Sequence, residues 1–269
     1  MDELTKSSIM QKFIQITDCH LFSTEPGKLL GMDTQSSLNA VLDRVHNEQD
    51  SFDFFLCTGD LSQDSTQASY QYLKDLIAKD GKEQYWIPGN HDDRETMLKV
   101  VSAEKEMLPV IKKGPWQIIL LDSQVPGAVG GNFADSQIEL LKNALEADNT
   151  SHTLITMHHH PRPMGCKWLD TQQIANSQAF LDLIAQYDNV RVVLWGHVHQ
   201  DSDSTIDNVR YISTPSTCIQ FTPDSDDFNV DVEGPGYRWM ELHDDGSIQT
   251  AVSRVDDIDF HIDYTTTGY

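Results

Sequence analysis

Two histidines separated by one residue follow a stretch that is predicted to be a buried strand. Residues 190–195 are mostly apolar and include three β-branched valines, Gly196 turns the chain, and His197 and His199 come next. In an extended segment this spacing points both imidazoles in the same direction. Paired imidazoles at a strand end can offer nitrogen ligands to a metal ion. Taken alone, the pair would be better explained as one core histidine and one solvated histidine.

Four other predicted strands end in the same way, on side chains that can bind a metal. Asp18 and His20 follow residues 12–17, Asp60 follows 52–58, Asn90 and His91 follow 85–87, and His158 follows 152–157. Sheets of α/β proteins place their ligands beyond the carboxyl ends of strands. A purely structural role for all of these residues would require five separate strand ends to converge by chance. We therefore expect one shared metal site.

The donor groups of this set indicate which ions it would hold. Imidazole, carboxylate and amide groups without a thiolate suit divalent ions, with Fe or Mn favoured here and Zn as the alternative. The side chains are too many for one ion, so we expect two divalent transition-metal ions about 3.5–4 Å apart, bridged by one carboxylate. Such ions polarise a phosphoryl group and lower the pKa of a bridging water. The chain has no phosphate-binding glycine loop, nucleophilic serine elbow or dinucleotide motif. Direct attack by metal-bound hydroxide is therefore the predicted mechanism.

The charge balance bears on the partners of the protein. The chain carries 42 Asp and Glu residues against 19 Lys and Arg, a formal net charge of −23. This balance argues against nucleic-acid binding, because the phosphate backbone requires a basic face. An anionic substrate would need positive charge from something other than Lys and Arg, and bound cations would supply it.

Composition also indicates the compartment. With 39% hydrophobic residues the chain is expected to fold and not to span a membrane. Residues 1–11 are polar and lack the apolar run of a secretory signal. The four cysteines, Cys19, Cys57, Cys166 and Cys218, have no CxxC spacing. We therefore predict reduced thiols in a cytoplasmic protein. The sequence does not fix the oligomeric state.

Local patterns predict the elements that position the strand-end residues. Helices are expected from about residue 34 and over 65–79, 94–104, 135–147 and 176–187. Further strands are expected at 116–122, 210–213, 237–242 and 249–255, with Asp245-Gly246 as a hairpin turn between the last two. Strands first alternate with helices and then follow one another without helices between them. This order predicts a mixed α/β layered fold. No repeat or linker is visible, so 1–269 is expected to be one domain, with 1–11 and 256–269 as peripheral extensions.

The strand-end motifs occur in the order found in calcineurin-like metallophosphoesterases, and the chain resembles this family over most of its length. The motifs are Asp18-x-His20, Gly59-Asp60, Gly89-Asn90-His91-Asp92, His158 and Gly196-His197-Val198-His199. The resemblance implies a four-layer α/β/β/α sandwich, the metallophosphoesterase fold, with a dinuclear site at the sheet edges.

The same resemblance implies roles for individual residues. One metal would be bound by Asp18, His20, Asp60 and His199, and the second by Asp60, Asn90, His158 and His197, with Asp60 as the bridge. The substrate would lie against His20, Asp60, Asn90, His91 and His199. His91 would bind neither metal; it would contact the phosphate and protonate the leaving oxygen. His91, as this proton donor, and Asp60, as the bridge, would be the catalytic residues.

A narrower resemblance covers almost the whole chain. Its segments are 15–18, 86–91, 120–124, 158–161, 214–218 and 236–238, and they are similar to bacterial class III 3′,5′-cyclic AMP phosphodiesterases. The resemblance implies a small cyclic nucleotide as substrate, hydrolysis of cyclic AMP to 5′-AMP, and a lowering of cellular cyclic AMP. Cys19 stands where a threonine is common, between two ligand positions. Two alternatives stay open. One is a related enzyme that acts on 2′,3′-cyclic nucleotides or other phosphoesters, and the other is a metal-retaining regulatory protein without turnover.

Some assignments stay open between a structural and a functional role. His158 is preferred over His159 and His160 as the ligand, since the family places the ligand directly after the strand. Asp92 and Asp93 are expected to cap the following helix. Residues 216–221 either border a base pocket or form an ordinary connecting loop. Arg238 is expected to pack rather than to contact substrate, and His46, His152, His243 and His261 are expected to be surface or structural residues.

Overall fold

The computed structural model of the protein describes residues 8–268. The part of the expected N-terminal extension at 1–7, and residue 269, lie outside the described residues. The strands are β1 Ile9–Ile16, β2 Lys28–Leu29, β3 Met32–Asp33, β4 Phe54–Thr58, β5 Glu83–Ile87, β6 Val110–Lys113, β7 Trp116–Leu120, β8 His152–Met157, β9 Val190–Trp195, β10 Ser202–Ile206, β11 Val209–Ser213, β12 Gly236–His243 and β13 Ile248–Arg254. The helices are α1 Thr34–Glu48, α2 Gln67–Ala78, α3 Arg94–Met97, α4 Asp135–Ala147, α5 Lys167–Asp170 and α6 Ser177–Ile184.

Two sheets contain the main strands, and each has a parallel centre. The first sheet has the order β13-β12-β1-β4-β5, and the second has the order β10-β11-β9-β8-β7-β6. In the first, β1, β4 and β5 are parallel, with Phe13 opposite Phe54 and Cys57 opposite Trp86. In the second, β7, β8, β9 and β11 are parallel. The parallel strands therefore bring several carboxyl ends to one edge of each sheet.

The alternation of side chains along the strands produces four layers. Phe54 and Leu56 on β4 belong to the core between the sheets, whereas Phe55 and Cys57 pack with the helices α1 and α2. On the second sheet the inner residues, such as Leu154, join the same central core, while their neighbours pack against α4 and α6. Successive strand residues point to opposite faces, so one strand serves two cores. The predicted α/β/β/α sandwich is confirmed.

One predicted helix is much shorter than expected. Periodicity predicts a helix over 94–104, but α3 ends at Met97. Val100 and Val101 are adjacent, β-branched and both buried, which weakens the helix and does not fit a single helix face. The chain instead turns at Ser102, whose carbonyl accepts three backbone N–H groups. After this turn, the Glu106 carbonyl accepts a hydrogen bond from the Trp86 N–H at 2.7 Å, and this bond attaches the segment to β5.

The prediction also missed short strands and several strand boundaries: β4 begins at Phe54, β5 begins at Glu83 and β7 ends at Leu120. β1 starts at Ile9 rather than at Lys12. The edge strands β6 and β10 were not predicted, and β10 is almost fully exposed along its length. An edge strand with one neighbour needs no alternating apolar pattern, so its sequence carries little signal. The predicted turn at Asp245-Gly246 joins β12 to β13.

The segment after β13 lies on the surface of the sandwich with a few anchors. Phe260 and Ile262 are partly buried against the cores, and the N–H of Asp263 donates to the Leu30 carbonyl at 2.7 Å. That the whole of 1–269 forms one domain stays a prediction. The four cysteines are buried and unpaired. Within residues 8–268, none of the helices combines the length and apolar character needed to cross a bilayer.

Arg238 connects the two sheets from a buried position. It lies on β12 in the first sheet and donates to the Ser213 carbonyl at 2.9 Å and to Thr214 Oγ1 at 3.1 Å, both beside the second sheet. Its guanidinium also pairs with Asp201, which is partly exposed. The expectation of a packing role agrees with these contacts, because they satisfy backbone and hydroxyl groups that water does not reach.

We expect Arg238→Met to lower the free energy of unfolding by about 2–4 kcal/mol, since it leaves buried acceptors unpaired. Arg210→Met is the matched control, because the Arg210–Asp203 pair is more exposed and such pairs contribute at most about 1 kcal/mol. Urea unfolding followed by circular dichroism measures both variants. Equal, small losses in the two variants would contradict the connecting role of Arg238.

Candidate metal centre

Five strand ends from both sheets meet at one place. β1, β4 and β5 of the first sheet lead into Asp18, Asp60 and Asn90, and β8 and β9 of the second lead into His158 and His197. Backbone hydrogen bonds join the loops: the Asp18 N–H donates to the Gly59 carbonyl at 2.9 Å, and the Gly196 N–H to the His158 carbonyl at 3.2 Å. The site therefore spans the seam between the sheets.

Asp18, His20 and His199 form one group of candidate ligands. His199 Nε2 lies 3.3 Å from Asp18 Oδ1 and 3.3 Å from His20 Nε2. The three side chains are buried, and their ligand atoms lie within 4.8 Å of one another. Two ligands of one ion at about 2.0–2.2 Å are about 3 Å apart, so these spacings suit a shared cation.

Asp60, Asn90 and His158 form a second group. His158 Nε2 lies 3.3 Å from Asp60 Oδ2 and 3.3 Å from Asn90 Oδ1. The same Asp60 oxygen is 4.0 Å from His20 Nε2 in the first group. Asp60 therefore lies between the two groups, which is the position that a bridging carboxylate would need.

His197 adds an unsatisfied nitrogen to the second group. Its Nε2 is buried and has no hydrogen-bond partner among the described residues. A ligand atom of His197 lies within 4.8 Å of those of His158 and His159. A buried lone pair without a partner is costly unless something binds it. A cation would remove that cost.

The hydrogen bonds of the other histidines orient their rings. Nδ1 of His158 lies 2.7 Å from the Thr58 carbonyl, and Nδ1 of His199 lies 2.9 Å from the Ile219 carbonyl. A carbonyl only accepts, so Nδ1 carries the proton and Nε2 presents its lone pair to the centre. Lone pairs and carboxylates facing one another at 3.3 Å repel without a cation. The residues present therefore fit divalent ions.

Protonation states favour metal binding at Asp18 and His20 but oppose it at His158. Burial lowers the pKa of His20 to about 3, which keeps this imidazole neutral. Burial opposes the ionisation of Asp18, but His199 and His158 outweigh it and lower the pKa of the carboxyl. Burial likewise opposes the charged form of His158, but Asp60 and Asp18 raise its pKa to about 9. A metal at this position would therefore compete with a proton on His158.

His159 and His160 differ from His158 in their surroundings. His159 uses both ring nitrogens, with Nδ1 2.8 Å from Ser123 Oγ and Nε2 3.0 Å from the Val129 carbonyl. It therefore has no lone pair left for a metal. His160 stacks on His197 with ring centroids 5.6 Å apart. The contacts of His159 support His158 over His159 as the ligand.

The ligand positions have an unusual backbone. Asp18, His20, Asp60, His197 and His199 all adopt a positive φ, between 46° and 66°. Asp and His tolerate this left-handed region better than most residues, but a non-glycine residue there costs on the order of 1–3 kcal/mol. Such strain persists only where surrounding structure enforces it. The loops hold the ligands in place at the expense of local stability.

Two glycines allow the close approach of the loops. A Cβ at Gly89 would lie 2.2 Å from Asp60 Oδ1, and one at Gly59 would lie 2.4 Å from His158 Nδ1. Both distances are far below contact, so any side chain there would move a candidate ligand. Gly59 of the Gly-Asp motif and Gly89 of the Gly-Asn-His motif are thus required because no side chain fits at either position.

Asp92 was predicted as a helix cap, and that prediction is wrong. Asp93 is the N-cap of α3 and accepts from the Thr96 N–H at 2.7 Å. Asp92 is buried and accepts from the N–H of Gly89 at 2.8 Å and of Leu61 at 3.1 Å. It therefore clamps the loop after β4 to the loop after β5. Its place directly after the Asn-His pair is the signal that could have identified it.

A cleft opens beside the candidate ligands. It has a volume of about 210 Å³ and is lined by Asp60, Asn90, His91, Val129, Trp168, Gln172, His197, Phe221, Phe228 and Gly268. His91 is held here by its N–H, which donates to Asp60 Oδ1 at 2.8 Å. A larger groove of about 890 Å³ runs beside α6 and β11 and contains no predicted site residue. Trp168, Gln172 and Phe228 were not predicted, because no pattern links their distant segments.

A layered sandwich with carboxylates, imidazoles and an amide at its strand ends defines a metal-dependent phosphoesterase. The chain belongs to the calcineurin-like phosphoesterase family, whose model matches residues 11–201, and its fold is that of this class. Members of this family act with divalent metal ions, in agreement with the ligand groups found here.

Named relatives agree with this membership. The chain is 43% identical to the 3′,5′-cyclic adenosine monophosphate phosphodiesterase CpdA of Pseudomonas aeruginosa, over 98% of this chain and 97% of that protein. It is 42% identical to CpdA of Vibrio vulnificus, over 100% and 98% of the two chains. A dimetal phosphatase from Danio rerio has the same fold, with a TM-score of 0.62 at 14% identity, covering 92% of this chain and 99% of that one.

We expect Gly89→Ala to weaken metal binding roughly 10–100-fold, because the added methyl displaces Asp60. Gly81→Ala is the control: that position has a φ of +63°, and a Cβ there meets nothing within 4 Å. Metal content after dialysis, measured by plasma mass spectrometry, compares the two. Full metal retention by Gly89→Ala would contradict the role of this contact.

Proposed function

We propose that the protein hydrolyses 3′,5′-cyclic AMP to 5′-AMP at a centre of two divalent metal ions and so lowers cellular cyclic AMP. The observation that carries this proposal is the likeness, over nearly the whole chain, to relatives named as 3′,5′-cyclic AMP phosphodiesterases. The family match and the candidate ligand groups support the metal dependence. The 5′-AMP product follows from cleavage of the bond between phosphorus and the 3′-oxygen.

For the ligands, we propose the following division. One ion would be held by Asp18, His20, Asp60 and His199, and the other by Asp60, Asn90, His158 and His197. The spacings of 3.3 Å within each group, and the position of Asp60 between them, support it. Ions held there would polarise a phosphoryl oxygen and provide an activated water. The nitrogen and oxygen donors favour Fe or Mn, with Zn as the alternative.

Charge explains why the ions are needed for binding as well as for chemistry. Among the described residues that line the cleft, none is Lys or Arg. Asp60 instead places a carboxylate at its floor, in a chain of net charge −23. Without cations an anionic phosphoester would be repelled. Substrate affinity should therefore depend on metal content.

His91 is the proposed proton donor. Its side chain lines the cleft, and its ring centroid lies 5.0 Å from that of His20. As hydroxide adds to phosphorus, the bond to the 3′-oxygen breaks and negative charge develops on that oxygen. A proton from His91 would neutralise this charge and give the free 3′-hydroxyl. The hydrogen bond from the His91 N–H to Asp60 Oδ1 would keep this proton donor next to the reacting phosphate.

For the compartment, we propose the cytoplasm. Four buried, unpaired cysteines are typical of a reducing environment. The acidic surface disfavours nucleic acid as a partner, which leaves the small cyclic nucleotide as the proposed partner.

The decisive experiment is turnover on metal-reconstituted protein. We expect 3′,5′-cyclic AMP to give 5′-AMP, identified by chromatography against 5′-AMP and 3′-AMP standards. Chelation of the metal should abolish the reaction. Faster turnover of 2′,3′-cyclic AMP, or 3′-AMP as the main product, would contradict the proposal. Because fold and metals do not fix a substrate, both cyclic nucleotides and an aryl phosphodiester belong in the assay.

We expect His91→Ala to keep both metals but to lower kcat for cyclic AMP by roughly 10²–10⁴-fold, the usual contribution of a general acid. The loss should be smaller for a nitrophenyl phosphodiester, whose leaving group needs little protonation. His46→Ala, at an exposed histidine away from the cleft, is the control. An equal loss on both substrates would point to phosphate positioning rather than proton donation.

A further inference from the structure

Three aromatic side chains line the cleft beside the candidate ligands. Trp168, Phe221 and Phe228 contact one another edge to face, with ring centroids 5.0–5.4 Å apart and interplanar angles of 64–80°. Such arrangements are favoured by the ring quadrupoles and are rigid. The three rings together, called here the aromatic wall, line the same cleft as Asp60 and His91.

The aromatic wall is attached directly to the metal centre. Phe221 stacks flat on the imidazole of His199, with centroids 4.3 Å apart and an interplanar angle of 14°. The Phe221 N–H also donates to the His199 carbonyl at 3.3 Å. Phe228 is held beside it, because Thr222 donates to the Asn229 carbonyl at 2.9 Å. The distance between the wall and the phosphate site is therefore fixed by the fold.

Core packing explains only part of this wall. Phe221 is buried, as expected for a core residue, but Trp168 and Phe228 are partly exposed and line the cleft. Partly exposed aromatic rings at the edge of a polar, metal-binding site are what a planar ring system would stack on. The cleft of about 210 Å³ is small for a drug-sized ligand and suits one ring system next to the phosphate.

Gln172 places a polar group in the same cleft. Its backbone is fixed, since its N–H donates to the Leu169 carbonyl at 2.8 Å and its carbonyl accepts from Gly131 at 3.3 Å. Between residues 8 and 268, its side-chain amide makes no hydrogen bond. An amide offers one donor and one acceptor side by side, which matches the edge of adenine.

We propose that the aromatic wall is the subsite that stacks on the purine base of the substrate, and that Gln172 hydrogen-bonds the edge of that base. This inference rests on the proposed function, because it takes the base to be part of the nucleotide whose phosphoester lies at the metal centre. It assigns specificity to residues from two separate segments, 168–172 and 221–228, none of which binds metal in the proposed division.

Calorimetric titration of Mn²⁺-reconstituted protein with 5′-AMP and with ribose 5-phosphate tests the subsite without requiring turnover. The two probes differ only in the base. We expect Trp168→Ala to weaken 5′-AMP binding roughly 5–150-fold, the range for loss of one stacked base, and to leave ribose 5-phosphate binding unchanged. Trp168→Phe should retain most of the affinity, and Gln172→Leu should weaken 5′-AMP binding alone. Metal content and urea midpoints confirm that each variant is folded.

Several outcomes would overturn the subsite. Wild-type protein that binds both probes equally tightly has no base site. Equal weakening of both probes in Trp168→Ala would mean that the ring shapes the phosphate site instead. An unchanged 5′-AMP affinity in both Trp168→Ala and Phe228→Ala would place the base elsewhere. Protein that prefers 5′-AMP but does not cleave cyclic AMP would retain the subsite and lose the proposed function, so the two failures are distinguishable.

Discussion

Mutual repulsion among buried acceptor groups is the constraint on which this structure depends. Carboxylate oxygens and imidazole lone pairs lie 3.3 Å apart at the seam of the two sheets, shielded from water. In a medium of low polarity this arrangement is unfavourable unless metal ions lie between the groups, or a proton such as the one that the raised pKa of His158 favours. Five ligand residues with positive φ add to the cost. Stability is thus given up locally so that the ligands are in place before metal binds.

The remainder of the fold supplies the rigidity that this arrangement requires. Parallel strands bring the loops together, and glycines at 59 and 89 let them touch. Asp92 joins two of these loops by accepting hydrogen bonds from their N–H groups. The central core between the sheets prevents the two halves of the site from separating. Each device is local, but all act on the relative position of Asp60 and its neighbours.

Much of this could be predicted from the sequence, because strand periodicity and strand-end motifs are local signals. Buried runs such as 190–195 and the residues that follow them were identified from their pattern alone. The helix expected over 94–104 failed because two adjacent buried valines and a tertiary hydrogen bond overrode its periodicity. Trp168 and Phe228 could not be found, since their proximity to His199 depends on the folding of three distant segments. The hydrogen bonds of Asp92 join two loops that meet only in the folded chain, so its position after the Asn-His pair is the one sequence signal for its role.

The location of the site at the seam has a consequence for the fate of the chain in the cell. Three of the loops with candidate ligands belong to one sheet and two to the other, so ions that bound them all would bind only the docked sandwich. A ligand selective for the folded state stabilises it in proportion to the logarithm of its free concentration. When metal is scarce, the ion-free protein would open more often and be degraded sooner. The abundance of this protein, and not only its activity, would then follow the metal supply.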